Sequence, residues 1–178
     1  PSIADEKPLG SGMQNRHGMP QIPVGQKSVK KWPVLDLGIK PEICKNTWKL
    51  DIYGAVKHPL TLDWDDFMEL EQRSDTSDFH CVTTWSKLDM SWKGVPFSNV
   101  AALVEPMPQA THVMCYGADE YSTNIPLEEA LKEDVLLVHT WGDEPLPHQH
   151  GGPVRMITPQ LYAWKGAKWI TKIEFMEE

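Results

Sequence analysis

Short segments of alternating apolar and polar residues, separated by proline and glycine, are the feature that most limits what this chain can fold into. In residues 47–56, TWKLDIYGAV, the alternate positions Trp48, Leu50 and Ile52 share one face. This pattern predicts a strand that is buried on one side. Further strands are predicted over residues 111–117 and 135–141, and the C-terminal stretch after residue 164 also alternates.

Helical patterns are fewer and shorter. One helix is predicted to begin at an N-cap, either Thr61 or Asp63. Its predicted buried side is made of Trp64, Phe67, Met68 and Leu70. Two other short helices are predicted over residues 97–104 and 127–134.

Strands therefore outnumber helices, and the fold class predicted is α+β, with mixed β-sheets and short helices. The phosphate-binding patterns GxGxxG and GxxxxGK[ST] are both absent from the sequence, which argues against a doubly wound nucleotide-binding fold. The length of 178 residues favours one domain. Residues 1–31 are polar without an apolar period and predict an extended N-terminal arm, which leaves residues 32–178 as the domain proper.

The charge and hydropathy of the chain exclude several kinds of partner. The formal net charge is −8, and lysine and arginine form no basic block, so nucleic acid is not expected as a partner. No apolar run is long enough to span a membrane. The sequence shows no secretory signal, which favours the cytoplasm, with the periplasm as the alternative if a signal preceded Pro1.

A cysteine in polar surroundings is the first candidate for chemistry. Cys81 lies in DFHCVTTW (residues 78–85), where a predicted strand ends, close to Thr83 and Thr84. A thiolate there could ligate a soft transition metal or act as a nucleophile with His80 as its base. Neighbouring residues on a strand point to opposite faces, so the nucleophile–base pair is the weaker interpretation.

Two later motifs suggest an anion site. In HQHGGPVR (residues 148–155), the two glycines permit close backbone approach to a ligand and Arg155 offers a planar fork for phosphate. The pair His148 and His150 could also bind a metal if both lay on one face of a strand. In WKGAKW (residues 164–169), lysine and backbone N–H groups could clamp a phosphate, or the segment could be a solvated hairpin.

Taken in order, the segments DFHCVTTWS, WKGVPF, YSTNIPL and the block from Leu136 to Phe175 resemble the sulfite-oxidase-like molybdopterin-binding oxidoreductases, above all their short single-domain prokaryotic members. The resemblance covers about residues 32–175. It implies a mixed α+β fold around a β-barrel-like core, an enzyme that transfers oxygen atoms in two-electron steps, and a molybdenum cofactor with one pterin.

The resemblance also implies roles for particular residues. Cys81 is the implied metal ligand. The implied cofactor contacts, with Thr83 framing the thiolate, are Thr83, Asp36, His150, Arg155, Gly166 and Lys168. The implied pocket residues nearest the reaction are Thr84 and Tyr121. A small-molecule substrate and an electron-transfer protein are the implied partners, because the sequence encodes no second redox centre.

Three positions depart from the family pattern. Thr84 replaces an arginine of the short members, Asp36 replaces a histidine, and Val34 replaces an arginine that helps true sulfite oxidases bind their anion. Because a buried pocket must offset the desolvation of sulfite with positive charge, we expect a neutral sulfoxide or N-oxide to be favoured over sulfite. Two alternatives stay open, namely a molybdopterin-binding protein without turnover and a zinc-binding domain that uses His148, His150 and a cysteine.

Overall fold

The computed structural model describes residues 10–14, 20–23, 27–28, 41–80, 85–158 and 166–177. Within these ranges the strands are β1 (Gly10–Gln14), β2 (Pro20–Pro23), β3 (Lys27–Ser28), β4 (Lys49–Gly54), β5 (Leu60–Asp63), β6 (Arg73–His80), β7 (Trp85–Pro96), β8 (His112–Gly117), β9 (Ser122–Pro126), β10 (Leu136–Trp141), β11 (Glu144–Pro145), β12 (Arg155–Ile157) and β13 (Ile170–Met176). The helices are α1 (Trp64–Glu69), α2 (Phe97–Val104) and α3 (Leu127–Ala130), and His148–His150 form a 3-10 turn.

The strands form two large sheets and one small hairpin. The first large sheet has the order β11-β10-β7-β3, with β12 paired to β10 and β6 paired to β7. The second has the order β5-β4-β13-β8-β9. Two pairs, β4 with β13 and β3 with β7, are parallel and the others are antiparallel, so the sheets are mixed and the predicted α+β class is confirmed.

Part of the predicted N-terminal arm pairs with the body of the protein. Residues Lys27–Ser28 pair in parallel with Trp85 and Ser86 of β7. Strands β1 and β2 pair only with each other among the described strands, as an antiparallel hairpin. The division into an arm of residues 1–31 and a domain of residues 32–178 stays a prediction.

Helix α1 begins where the sequence places an N-cap. The Asp63 carboxylate accepts a hydrogen bond from the backbone N–H of Asp66 at 2.8 Å, and the Asp66 carboxylate accepts one from the N–H of Asp63 at 3.2 Å. This reciprocal capping box stabilises a helix end by about 1 kcal/mol. Phe67 is buried as predicted, but Met68 is 36% exposed, and its predicted place on the buried side is wrong. A helix of six residues turns too few times to bury more than a narrow stripe.

The other two helices are also short. Helix α2 has the predicted bounds and buries Phe97, Val100, Ala101 and Val104, which recur at the helical period. Helix α3 ends at Ala130, four residues before the predicted end at residue 134. Its N-cap is a proline that makes no side-chain capping bond, which leaves the first turn without that support. None of the helices among the described residues is long and apolar enough to cross a bilayer.

The main hydrophobic core joins the inner faces of both large sheets to α2. Its buried aromatic side chains are Trp48, Phe67, Phe97 and Phe175. The rings of Phe97 and Phe175 stack with centroids 5.9 Å apart, which links α2 to β13. A second, smaller cluster around Trp92 and Leu146 covers the opposite face of β10, so the strand is buried on both sides from Leu136 to His139 and its first three residues are apolar without alternation.

A buried histidine connects β10 to the end of α1. The Nε2 atom of His139 lies 2.7 Å from Oε1 of Gln72, and its Nδ1 atom lies 2.8 Å from the hydroxyl of Thr140. The Gln72 amide nitrogen donates to the carbonyl of Leu70 at 2.8 Å, so its oxygen faces His139 and accepts from Nε2–H. Both ring nitrogens are therefore used, and the prediction that His139 satisfies hydrogen bonds in the core is confirmed.

His139 should make the protein sensitive to acid. Burial, with a smaller contribution from the charges of Lys93 and Lys45, lowers the pKa of His139 from 6.5 to about 4. Between these values the unfolded chain binds a proton that the folded protein does not, so the free energy of unfolding falls as the pH falls. We expect His139→Gln to reduce the dependence of the unfolding free energy on pH by as much as about 1.4 kcal/mol per pH unit. Urea unfolding of both proteins at about pH 7 and about pH 5 measures the difference, and equal slopes would contradict the assignment.

Candidate functional site

Two segments that are distant in sequence run side by side at the candidate site. The N–H of Trp169 donates to the carbonyl of Gly151 at 3.2 Å, and the N–H of Ile170 donates to the carbonyl of Val154 at 3.0 Å. A third bond, from the N–H of Met156 to the carbonyl of Ala167, is also 3.0 Å long. The GGPVR loop and the GAKW turn, which the sequence suggests as two separate anion motifs, are therefore one structural unit.

Gly151 lies where the side chains of the two segments meet. Its φ of +108° belongs to the left-handed region that favours glycine. A Cβ atom at this position would lie 3.0 Å from Cβ of Lys168 and 3.1 Å from Cβ of Arg155. The absence of a side chain at Gly151 therefore allows the two cationic residues to approach each other around its backbone.

Arg155 joins the two segments from within the protein. It is 3% exposed, and it donates from Nη1 to the carbonyl of His150 at 3.0 Å and from Nη2 to the carbonyl of Gly166 at 3.2 Å. Burial lowers the pKa of Arg155 to about 9, so the guanidinium is still charged at neutral pH. The two carbonyl groups orient the guanidinium but carry no net charge, so they do not cancel its positive charge.

Lys168 brings a second cation to the same place. Its Nζ atom donates to the carbonyl of Gln149 at 2.6 Å and lies 4.5 Å from the centroid of the Trp169 ring. The residue is 9% exposed. The alternative interpretation, a solvated hairpin, does not hold for residues 166–169, because Lys168 and Trp169 are both buried.

His150 completes the cationic cluster, which we define as His150, Arg155 and Lys168. Burial and then the charges of Arg155 and Lys168 lower the pKa of His150 from 6.5 to about 4. The imidazole is therefore neutral at pH 7, although it lies in a strongly positive environment. It can exchange hydrogen bonds with a ligand without adding a third buried charge.

No pattern in the sequence predicts the buried carboxylate that lies beside this cluster. Asp119 is 4% exposed, and its Oδ1 atom accepts from the N–H of Tyr121 at 3.3 Å. The same loop contacts the GAKW turn, because the N–H of Ala118 donates to the carbonyl of Trp169 at 2.9 Å. A charged residue in a polar loop such as ADEYST is usually solvated, so only the tertiary structure shows that Asp119 is buried near the cluster.

Tyr121 lies on this loop, beside the site but not in the cationic cluster. Its carbonyl accepts from the N–H of Gly117 at 2.8 Å. Burial, together with the charge of Asp119 and despite a hydrogen bond with Thr123, raises the pKa of Tyr121. The phenol is therefore protonated at neutral pH and can donate a hydrogen bond.

Several predicted site residues lie outside the described residues. They are Asp36, Cys81, Thr83 and Thr84. Strand β6 ends at His80 and β7 begins at Trp85, with His80 paired to Ser86. The other predicted residues, His150, Arg155, Gly166 and Lys168, come together as the two segments meet.

The zinc alternative loses its geometric basis. His148 and His150 lie on a 3-10 turn and not on a strand, so alternate residues do not share a face. In the described part of the chain, no group of three histidine, cysteine or acidic side chains is placed to hold a metal ion. Of the cysteines described, Cys44 is exposed and Cys115 is buried, where burial raises its thiol pKa to about 12.

The fold is an α+β domain, and the cluster gathers buried cationic side chains at one place in it. Residues 37–178 match the family described as the oxidoreductase molybdopterin binding domain. This match covers most of the chain, and the chain belongs to that family. It is therefore an oxidoreductase whose domain binds molybdopterin, as the resemblance implies.

Characterised and uncharacterised relatives agree with this assignment. The chain is 36% identical over 159 residues to the uncharacterized oxidoreductase YuiH of Bacillus subtilis, which covers 89% of the chain and 80% of YuiH. It is 31% identical over 147 residues to the protein-methionine-sulfoxide reductase catalytic subunit MsrP of Ralstonia nicotianae. That match covers 74% of the chain but only 44% of MsrP. The corresponding subunit of Campylobacter jejuni is 28% identical, and half of its length is covered.

A solved structure supports the fold. The sulfane dehydrogenase SoxCD of Paracoccus pantotrophus superposes with a TM-score of 0.72 at 22% identity, over 78% of this chain and 40% of that chain. At this level of identity the similarity establishes the architecture alone.

The described residues fit the anionic end of molybdopterin. Arg155 and Lys168 bring two positive charges to a buried place, where each donates to backbone carbonyl groups. A phosphate group would accept charge-assisted hydrogen bonds from cationic side chains of this kind.

Proposed function

We propose that this chain reduces a small neutral oxide of the sulfoxide type at a molybdopterin cofactor. The single observation that carries the proposal is the cationic cluster, in which Arg155 and Lys168 are buried from opposite segments around Gly151. Arg155 and Lys168 would hold the cofactor phosphate, with the neutral imidazole of His150 and the backbone of Gly166 as further contacts. When bound, the cofactor supplies two-electron oxygen-atom chemistry.

We propose that the cofactor has one pterin and that Cys81 is the protein ligand of its metal. A thiolate is a soft ligand that suits this kind of transition ion. Thr83 and Asp36 are proposed to contact the cofactor, and Thr84 and Tyr121 to line the substrate pocket. The protonated phenol of Tyr121 could donate a hydrogen bond to the oxygen of a sulfoxide.

Charge favours a neutral substrate over sulfite. Thr84 replaces an arginine of the short family members, and Val34 replaces an arginine of true sulfite oxidases. Two positive groups that would offset the desolvation of a dianion are therefore missing. The net charge of −8 also gives no long-range attraction for an anion. Relatives named as protein-methionine-sulfoxide reductases, at 28% to 31% identity, support the same choice.

The overall reaction requires an external reductant. A sulfoxide, two electrons and two protons give a sulfide and water. We propose that a separate electron-transfer protein delivers the electrons. The name of the MsrP relatives, which describes a catalytic subunit, is consistent with such a partner.

Cofactor content and turnover test the proposal together. Protein purified from a host that makes molybdopterin should contain molybdenum and release a fluorescent pterin on denaturation. With a reduced viologen dye as electron donor, we expect methionine sulfoxide or dimethyl sulfoxide to be reduced, and sulfite oxidation to be much slower. Faster turnover of sulfite would refute the proposed substrate class, and cofactor without any turnover would favour the binding protein considered above.

A further inference from the structure

We propose that the indole N–H of Trp169 donates a hydrogen bond to the phosphate group of bound molybdopterin, which makes Trp169 a further cofactor-binding residue. This inference rests on the proposed function, since it requires that the cationic cluster hold the cofactor. It adds a neutral donor to the charged groups already described.

The first observation is a buried donor that lacks an acceptor. The side chain of Trp169 is fully buried, and its Nε1 atom has no hydrogen-bond partner among the described residues. Leaving a buried N–H without an acceptor is unfavourable, and buried tryptophans usually find one. An acceptor that is not part of the described protein would remove this cost.

A second tryptophan shows that the fold can satisfy such a group. Trp48 is 1% exposed, and its Nε1 atom donates to the carbonyl of Ile170 at 2.9 Å. Ile170 follows Trp169 directly in the chain, so the two indoles belong to the same part of the protein. The lack of an acceptor among the described residues is therefore specific to the surroundings of Trp169, directly before β13.

The third observation is the position of the indole. Its ring lies 4.5 Å from Nζ of Lys168 and 5.6 Å, centroid to centroid, from the ring of His148. A phosphate offers several acceptor oxygens, so it can accept from the ammonium group and from the indole without requiring both to point at one atom.

The backbone holds the indole in this place at the expense of strain. Trp169 has a φ of +48°, a left-handed conformation that is rare for a bulky residue. Two backbone hydrogen bonds hold this conformation. The N–H of Trp169 donates to the carbonyl of Gly151, and the carbonyl of Trp169 accepts from the N–H of Ala118. Such conformations persist where the surrounding structure imposes them, and they are concentrated at binding sites.

Paired substitutions of the two tryptophans test the inference. Phenylalanine keeps an aromatic ring and removes only the N–H and part of the volume, so Trp169→Phe and Trp48→Phe create similar cavities. In full-length protein prepared without cofactor, we expect Trp48→Phe to lower the Tm more, because it alone loses an existing hydrogen bond. In loaded protein, we expect Trp169→Phe to lose molybdenum and pterin about tenfold faster than the wild type, while Trp48→Phe retains them normally.

Nitrogen-15 labelling of the tryptophans gives a second readout. The indole resonance of Trp169, identified by its absence in Trp169→Phe, should move downfield on cofactor loading, and that of Trp48 should not. Normal cofactor retention by Trp169→Phe with an unmoved resonance would overturn the inference while leaving the proposed function intact. Wild-type protein that contains neither molybdenum nor pterin would instead refute the proposed function.

Discussion

Replacing Arg155 by methionine is expected to weaken cofactor retention by roughly 10- to 100-fold, because one charge-assisted hydrogen bond of about 1.5–3 kcal/mol is lost. The same substitution should change the stability of the cofactor-free protein much less than it changes cofactor retention. There the methionine leaves the carbonyls of His150 and Gly166 without this donor, but it also removes the desolvation cost of a buried charge. The increase in Tm on cofactor loading, together with the molybdenum content, measures the effect.

Two further substitutions interpret that result. Arg155→Lys keeps a positive charge but cannot reach two carbonyl groups with a planar fork, so we expect intermediate retention. Arg73→Met is the matched control, because Arg73 is exposed and also donates to a backbone carbonyl, that of Glu133. If Arg155→Met keeps the wild-type cofactor content, or if Arg73→Met loses it equally, the cationic cluster is not the anion site.

Replacing Cys81 by serine is expected to reduce sulfoxide turnover by more than about 100-fold, because a neutral hydroxyl replaces the thiolate that we propose as the metal ligand. The cationic cluster is unchanged in this variant, so part of the pterin should remain bound. Steady-state turnover and the pterin-to-molybdenum ratio of the purified variant provide the measurement.

The other cysteines supply the control. Cys44 is exposed, and hydrogen bonds from Thr47 and Asn46 lower its pKa, so it is the thiol most open to nonspecific reaction among those described. Cys44→Ser should nevertheless turn over at the wild-type rate. Wild-type turnover by Cys81→Ser would contradict the ligand assignment.

Much of the fold follows from local rules in the sequence. The alternation around Trp48 and Leu50 predicts β4, and the apolar spacing over residues 97–104 predicts α2 with its observed bounds. These features depend on side chains only a few residues apart. The wrong predictions concern the lengths of helices. Met68 is exposed because α1 has only six residues, and α3 ends earlier than predicted.

The candidate site is harder to predict from local sequence patterns, because contacts between residues distant in sequence form it. Arg155 and Lys168 meet because Gly151 lacks a side chain and because the backbone of residues 151–156 pairs with that of residues 167–170. The family resemblance names Arg155 and Lys168, but no sequence pattern shows that Asp119 is buried beside them. That the indole N–H of Trp169 has no acceptor in the described part of the chain is likewise a property of its surroundings and not of its neighbours in sequence.

The buried cations of the cluster link the proposed cofactor binding to the stability of the fold. Burying the charges of Arg155 and Lys168 has a desolvation cost that surrounding protein groups must offset. With a phosphate in place, the same groups become strong hydrogen-bond donors and stabilise the folded chain through binding. Cofactor binding should therefore be visible as stability as well as activity.

X-ray absorption at the molybdenum edge tests the central proposal most directly, because it reports the atoms bonded to the metal. We predict that the loaded wild-type protein shows one sulfur ligand more than the Cys81→Ser variant, and that Cys44→Ser matches the wild type. Identical sulfur coordination in the wild type and in Cys81→Ser, with the metal retained in both, would show that Cys81 does not bind the metal.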